Sequence, residues 1–151
     1  GRALQKDQVK FTLHSVGDSP GTAFKILGPI SDAEIEVDVI VQNVSIDDKT
    51  DFTFTVSNED SDSVEKILED LKTEVDYKKL IINSDIAKVS LVGTGMRSQA
   101  GVASKAFRAL SENNVNIQII STSEIKITMV IDESLIDKAV NVLHEEFELE
   151  K

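Results

Sequence analysis

The chain has 151 residues, enough for one ordinary domain or two small ones and too few for a large enzyme with separate substrate and cofactor domains. Apolar residues make up 40% of it and charged residues 28%, the balance of a chain that folds rather than of a disordered one. Sixteen basic against 27 acidic side chains leave a formal charge of −11, which repels phosphate backbones and anionic headgroups and argues against nucleic acid and membrane as partners.

In chain order, Arg2–Gln5 shows no periodicity of its own, and Val9–Leu13 reads as a short strand. The cluster Gly17-Asp18-Ser19-Pro20-Gly21 is a turn that enters a helix with Ala23, Ile26, Leu27 and Ile30 on one face. Gly28-Pro29 lies inside that helix, and Pro29, which has no N–H for the Lys25 carbonyl, is expected to kink or end it. Ile35–Val41 alternates Ile35, Val37, Val39 and Val41 against Glu36, Asp38 and Ile40, the pattern of a half-buried strand. A turn at Asp47–Thr50 leads into the alternating strand Asp51–Val56. Val64, Ile67, Leu68 and Leu71 mark an amphipathic helix, and Leu80–Ile82 a closing strand.

The pattern then starts again. Val89–Val92 reads as a strand, Ala100–Ser111 as a helix, Val115–Ser121 and Ile125–Ile131 as strands, and Leu135–Phe147 as a helix. Gly21 and Gly101, Leu27 and Phe107, Ile30 and Leu110, Val37 and Ile117, and Ile40 and Ile120 all stand 80 residues apart, so the chain holds an internal repeat. Each unit has the order strand-helix-strand-strand-helix-strand. The expected fold is therefore α+β, two ferredoxin-like βαββαβ units with antiparallel sheets and helices on one face. The division falls at 1–84 and 85–151. The second unit lacks a last strand, for which the N-terminal residues 1–8, Arg2–Gln5 in particular, are the candidate; the first unit is then inserted within the second.

An RNA-binding version of this fold stacks bases on exposed sheet aromatics beside basic residues; only Phe52 and Phe54 are offered, without a basic rim. His14 and His144 occupy non-repeated positions with no carboxylate at metal-ligand or triad spacing, and read as surface or packing residues. Gly93-Thr94-Gly95 does not complete a dinucleotide fingerprint. Ser121-Thr122-Ser123-Glu124 reads as a hairpin turn. No catalytic residue, metal ligand or cofactor site is expected. The absence of cysteine points to a reducing, cytoplasmic setting, and apolar runs of four or five residues are far short of the ~20 that cross a bilayer. The start at Gly1, without Met, suggests a cut from a longer protein or a tag remnant.

What recurs is a glycine loop entering a helix, which exposes backbone N–H groups at the positive helix end, where a carboxylate fits. Asp18 is placed to hold a cation nearby, and the two together describe an α-amino acid, although a lone Asp there is more often a turn former or helix cap.

These residues resemble the ACT domain, a small-molecule-sensing module of amino-acid metabolism. The runs Val39–Ser45, Val89–Ser98 and Ile119–Ile127 are similar specifically to the paired ACT domains of aspartate kinase, over residues 3 to 149. The resemblance implies a regulatory region, in some members made separately as a β subunit, that binds threonine, lysine or both and feeds inhibition back onto lysine, threonine and methionine biosynthesis. The kinase part is absent from this sequence. The partners implied are a second copy, through ACT domains, and an aspartate kinase catalytic domain or α subunit. Carried over position by position, the effector site uses Asp18, Gly21, Thr22, Ala23, Gln42 and Asn43, closed by Asn116 and Ile117 of the paired ACT unit. A second effector site uses Met96, Ser98, Gly101 and Val102, closed by Glu36 and Val37, although Gln99-Ala100 and Arg97 depart from the first loop. The alternatives are an ACT sensor or dimerisation module serving another enzyme.

Overall fold

The computed structural model describes residues 2–17, 19–44, 47–92 and 99–148. Its strands and α-helices are β1 (Arg2–Gly17), α1 (Thr22–Asp32), β2 (Ile40–Val44), β3 (Lys49–Ser57), α2 (Ser61–Asp70), β4 (Lys79–Val92), α3 (Gln99–Glu112), β5 (Ile117–Thr122), β6 (Lys126–Asp132) and α4 (Ile136–Glu148). They divide into two compact units, Asp7–Ser84, and Gly1–Lys6 together with Asp85–Lys151.

In the unit Asp7–Ser84 the strand order is β2-β3-β1-β4, with β3 antiparallel to both β1 and β2. Alternate residues of β1 and β3, including Phe11, Leu13, Phe52, Phe54 and Val56, face Ile26 and Ile30 of α1 and Val64 and Leu68 of α2 in one apolar core. Phe11 stacks on Phe54 with centroids 5.7 Å apart, and Phe52 meets Phe54 edge-on at 6.2 Å. Phe52 and Phe54 are thus core residues with no exposed face for a base. Tyr77 closes the far end, its buried hydroxyl donating to the Leu68 carbonyl at 2.8 Å.

In the other unit the order is β1-β4-β6-β5, with β6 antiparallel to β4 and β5. Ala87, Val89, Leu91, Ile127, Met129 and Ile131 face Ala106 and Leu110 of α3 and Ala139 and Leu143 of α4. An Arg108–Glu146 bond of 2.6 Å ties α3 to α4 at the surface. Both units have the ferredoxin-like strand order.

Four expectations change. The strand Val9–Leu13 is part of a sixteen-residue strand, and Leu80–Ile82 and Val89–Val92 are two ends of one fourteen-residue strand. The polar stretches between them, Gln5-Lys6-Asp7 and Asn83-Ser84-Asp85, have the composition of turns yet lie within the strands, although Asp7 takes a left-handed φ of 58° where β1 passes from one unit to the other. Second, α1 runs through Pro29 to Asp32. Pro29 removes only the bond to Lys25, its own carbonyl accepts from Ala33 N–H at 3.1 Å, and Gly28 before it has no Cβ to clash with the proline ring.

Third, Ile35–Val41 keeps its period but the ladder starts only at Ile40. Asp38 N–H donates to the Thr55 carbonyl at 3.1 Å while Thr55 N–H donates to Val39 at 3.0 Å, so two residues face one in a bulge. Burial still alternates as expected, with Ile35 and Val39 buried and Glu36, Asp38 and Ile40 exposed, while in the ladder beyond the bulge Ile40 and Gln42 stand opposite Phe54 and Phe52 and Val41 opposite Thr53. Strand β5 has the same irregularity 80 residues on, with Ile117 opposite Ile131, Ile119 opposite Val130 and Ile120 opposite Met129.

Fourth, the two repeat glycines do not occupy the same place relative to their helices. Gly21 precedes α1 as its N-cap, with φ 90°, whereas Gly101 lies in the first turn of α3, which already starts at Gln99. The helix ends do repeat. Glu34 and Asn114 both take a φ of 60°, and Ile35 and Val115 N–H donate back to Ile30 and Leu110.

Candidate functional site

Strand β1 delivers the loop of the first unit. Gly21 offers no side-chain cap and takes a left-handed backbone as it leads into α1. Thr22 is tied down: its N–H donates to Ser19 O at 3.2 Å, its hydroxyl to Gly17 O at 3.1 Å, and Ser19 Oγ lies 3.1 Å from that hydroxyl. Thr22 is buried, so its hydroxyl shapes the loop, while Ala23 packs against the core. Two strands away, Gln42 and Asn43 are exposed on β2. The Asn43 carbonyl accepts from Thr50 Oγ1 at 2.6 Å, and Asn43 pairs with Asp51 of β3. Asp18 lies outside the described residues.

The other unit holds a groove of about 510 Å³ between α3 and β5, lined by Phe107, Ser111, Asn114, Val115, Asn116, Ile117 and Ile120. Asn116 and Ile117, expected to read an effector's polar ends, are among the residues that line this open groove. Phe107, Ser111, Asn114 and Ile120 were not expected there. Phe107 and Ile120 stand out in the repeat as apolar positions that look like core, but the bulge at Gln118 leaves Ile120 at the sheet edge, 45% exposed. The lining carries hydroxyl, amide and apolar groups and no carboxylate.

Of the second predicted site, Met96 and Ser98 lie outside the described residues. Gly101 is an exposed residue of α3, and Val102 packs against the core of its unit. Glu36 is exposed and Val37 packs inward. Gly93-Thr94-Gly95 is also outside the described residues. Ser123 N–H donates to Lys126 O at 2.8 Å and closes the β5–β6 hairpin turn.

His14 does have a carboxylate. Asp51, 37 residues away, places Oδ1 2.8 Å from His14 Nδ1, a pairing that spacing along the chain could not reveal. Among the described residues no group of three or more His, Asp or Glu side chains could hold a metal ion. No described helix is long and apolar enough to cross a membrane.

Sequence models of the ACT domain match residues 13–76 and 89–147. A structure of aspartokinase alpha and beta subunits superposes with a TM-score of 0.91 at 44% identity, covering 98% of this chain and 97% of that one. The chain belongs to the ACT-domain regulatory family of aspartokinase. The regulatory subunit of aspartate kinase from Thermus thermophilus, in its ligand-free form, gives a TM-score of 0.91 at 33% identity, with 97% of each chain covered. Aspartate kinase of Pseudomonas fluorescens is 54% identical over 150 residues, 99% of this chain but 36% of the kinase. The chain thus spans about a third of the length of the curated kinases it matches and corresponds to their ACT regulatory part.

Within this family the repeat has a plain meaning: two ACT domains in one chain. Their two glycines differ, since Gly21 is the left-handed N-cap of α1 whereas Gly101 lies within α3, and the groove lies beside α3.

Proposed function

We propose that this chain is the allosteric regulatory region of an aspartate kinase, which phosphorylates L-aspartate with ATP, and that it binds an end-product amino acid where ACT domains meet. Threonine, lysine or both are the effectors, and inhibition is fed back onto the biosynthesis of lysine, threonine and methionine. The observation that carries this reading is the start of α1, which lacks a side-chain cap, turns left-handed at Gly21 and occurs in a chain of this family. An effector carboxylate sits against the backbone N–H groups at the start of α1, with Asp18, Gly21, Thr22, Ala23, Gln42 and Asn43 around it. Asn116 and Ile117 are supplied by the ACT unit that pairs with it in a homodimer. The second site, at Met96, Ser98, Gly101 and Val102 with Glu36 and Val37, is the weaker anion site, because Gly101 is already a helix residue.

Coupling arises from shared contacts. A ligand touching two ACT units favours one pairing over another, and that differential affinity is the free energy transmitted to the kinase catalytic domain or α subunit. The neutral lining of the groove suits a side chain like that of threonine better than a lysine ammonium, which would ask for a carboxylate.

Calorimetric titration of the chain with threonine and lysine, each alone and then in the presence of the other, tests this. Binding of at least one is expected, weakened by Asn116→Ala or Asp18→Ala without a change in thermal unfolding. Wild-type affinity in both variants removes the site assignment. Heat from neither amino acid removes the effector reading for this chain.

A further inference from the structure

One rung of the first unit joins both halves of the candidate effector site. Strand β1 carries an extra residue against β3: Leu13 pairs with Phe52 and Val16 with Thr50, so His14 and Ser15 together face Asp51. A bulge of this kind bends its strand and re-aims the residues beyond it. Ser15 takes a left-handed φ of 60°, an unfavourable state for serine that needs a partner to hold it. That partner is one oxygen. Asp51 Oδ1 accepts from Ser15 N–H at 3.0 Å and lies 2.8 Å from His14 Nδ1, so it binds both residues of the bulge. Two residues beyond Ser15, Gly17 O accepts the Thr22 hydroxyl that shapes the loop into α1. On its other side, Asp51 pairs across the sheet with Asn43.

We propose that Asp51 is a positioning residue for the effector loop: by holding His14 and Ser15 it fixes the direction in which the chain leaves β1 towards Gly21, and so sets effector affinity through the loop. The inference rests on the effector reading above. It adds a residue that the sequence marks only as the start of the alternating strand Asp51–Val56.

The test compares Asp51→Ala, Asp51→Asn and His14→Ala with wild type, by calorimetry with threonine and lysine and by backbone amide spectra without ligand. Asp51→Ala is expected to weaken binding about tenfold or more, the scale of a lost hydrogen bond to a charged group. Asp51→Asn keeps an Oδ1 acceptor for Ser15 and should stay within about threefold of wild type. His14→Ala, which spares the Ser15 bond, should fall between the two. In the ligand-free spectra, Asp51→Ala should move the Gly17, Ser19, Gly21 and Thr22 amides while Asp51→Asn leaves them. Should Asp51→Ala fail to fold, Ser15→Gly, which adopts the left-handed state unaided, is combined with it and should restore the loop signals.

Equal loss in Asp51→Asn and Asp51→Ala would mean direct charge recognition of the ligand and overturn positioning. Unchanged loop amides in Asp51→Ala overturn it as well. If wild type binds neither amino acid, the effector reading fails and the affinity claim with it, and the ligand-free spectra still decide whether Asp51 holds the loop.

Discussion

Gly21 and Gly17 sit four residues apart, at the two ends of the turn from β1 into α1, yet they should answer differently to the same substitution. A Cβ at either position meets nothing within 4 Å, so packing does not distinguish them. Backbone does: Gly21 has φ 90° and Gly17 lies in a strand without a positive φ. Gly21→Ala should therefore lose about 1–2 kcal/mol in denaturant unfolding, whereas Gly17→Ala should be neutral or gain about 0.4–1 kcal/mol. Equal effects would deny the left-handed cap. Gly101 looks like the twin of Gly21 in the sequence, because an 80-residue offset preserves identity but says nothing about which residue opens the helix. The same limit applies to Asp51, whose two partners on β1 become neighbours only through a bulge. A third residue, Asp132, shows local order that one turn of sequence does encode. Its carboxylate accepts from the Ser134 hydroxyl at 2.7 Å and from Ser134 N–H at 2.9 Å, and these bonds, the hydroxyl first, hold it below the ordinary carboxylate value. A depressed folded value stabilises the protein above the unfolded value and ceases to do so as pH falls through the folded one. Ser134→Ala should thus be less stable than wild type at neutral pH, and the two should converge below the folded value of Asp132; a constant gap down to acid pH contradicts this.

Elements show where period reading succeeds and where it stops. Existence and type of all four helices follow from spacing such as Val64, Leu68 and Leu71, because helix burial depends on a pattern local to the chain. Strand extents do not, since a strand ends where its partner ends, and the partner is far away in sequence. Hence β1 and β4 are much longer than their apolar runs. Burial over Ile35–Val41 follows the alternation, with Ile35 and Val39 buried and Glu36, Asp38 and Ile40 exposed, but alternation cannot register an inserted residue, so the bulge itself is not legible. That bulge has its own support: Thr55 is fully buried, and its hydroxyl accepts from Val39 N–H at 3.2 Å, which the displaced ladder leaves otherwise unserved. Thr55→Val, the same shape without the acceptor, should cost about 1–3 kcal/mol in thermal or denaturant unfolding, and Thr55→Ser should recover most of it. Equal stability of Thr55→Val and wild type would mean that the bulge needs no such support.

At the scale of the whole chain, two units are read off the sequence, and the N-terminal strand groups with the distal one because Gly1–Lys6 and Asp85–Lys151 form a single compact unit. Removing residues 1–6 should therefore lower the unfolding temperature of the unit containing β5 and β6 by several degrees and spare amide protection in the core of Asp7–Ser84. Hydrogen exchange followed residue by residue separates the two, and uniform loss in both units would contradict the grouping. The groove beside α3 was legible only in part: Asn116 and Ile117 follow from family resemblance, Ile120 looks like core until the edge position of β5 is known, and Phe107, which does pack against the core, lines the groove as well.

The passage of β1 and β4 between the units also fixes an order in time. As the chain is synthesised from its N-terminus, all four strands and both helices of Asp7–Ser84 emerge before any residue of α3. That unit can close on the ribosome, whereas the other must keep Arg2–Lys6 waiting while some eighty residues pass. The early strand is an unpaired edge for that interval, and Arg2, Gln5 and Lys6 within it are polar or charged, as a segment that has to stay available without aggregating requires.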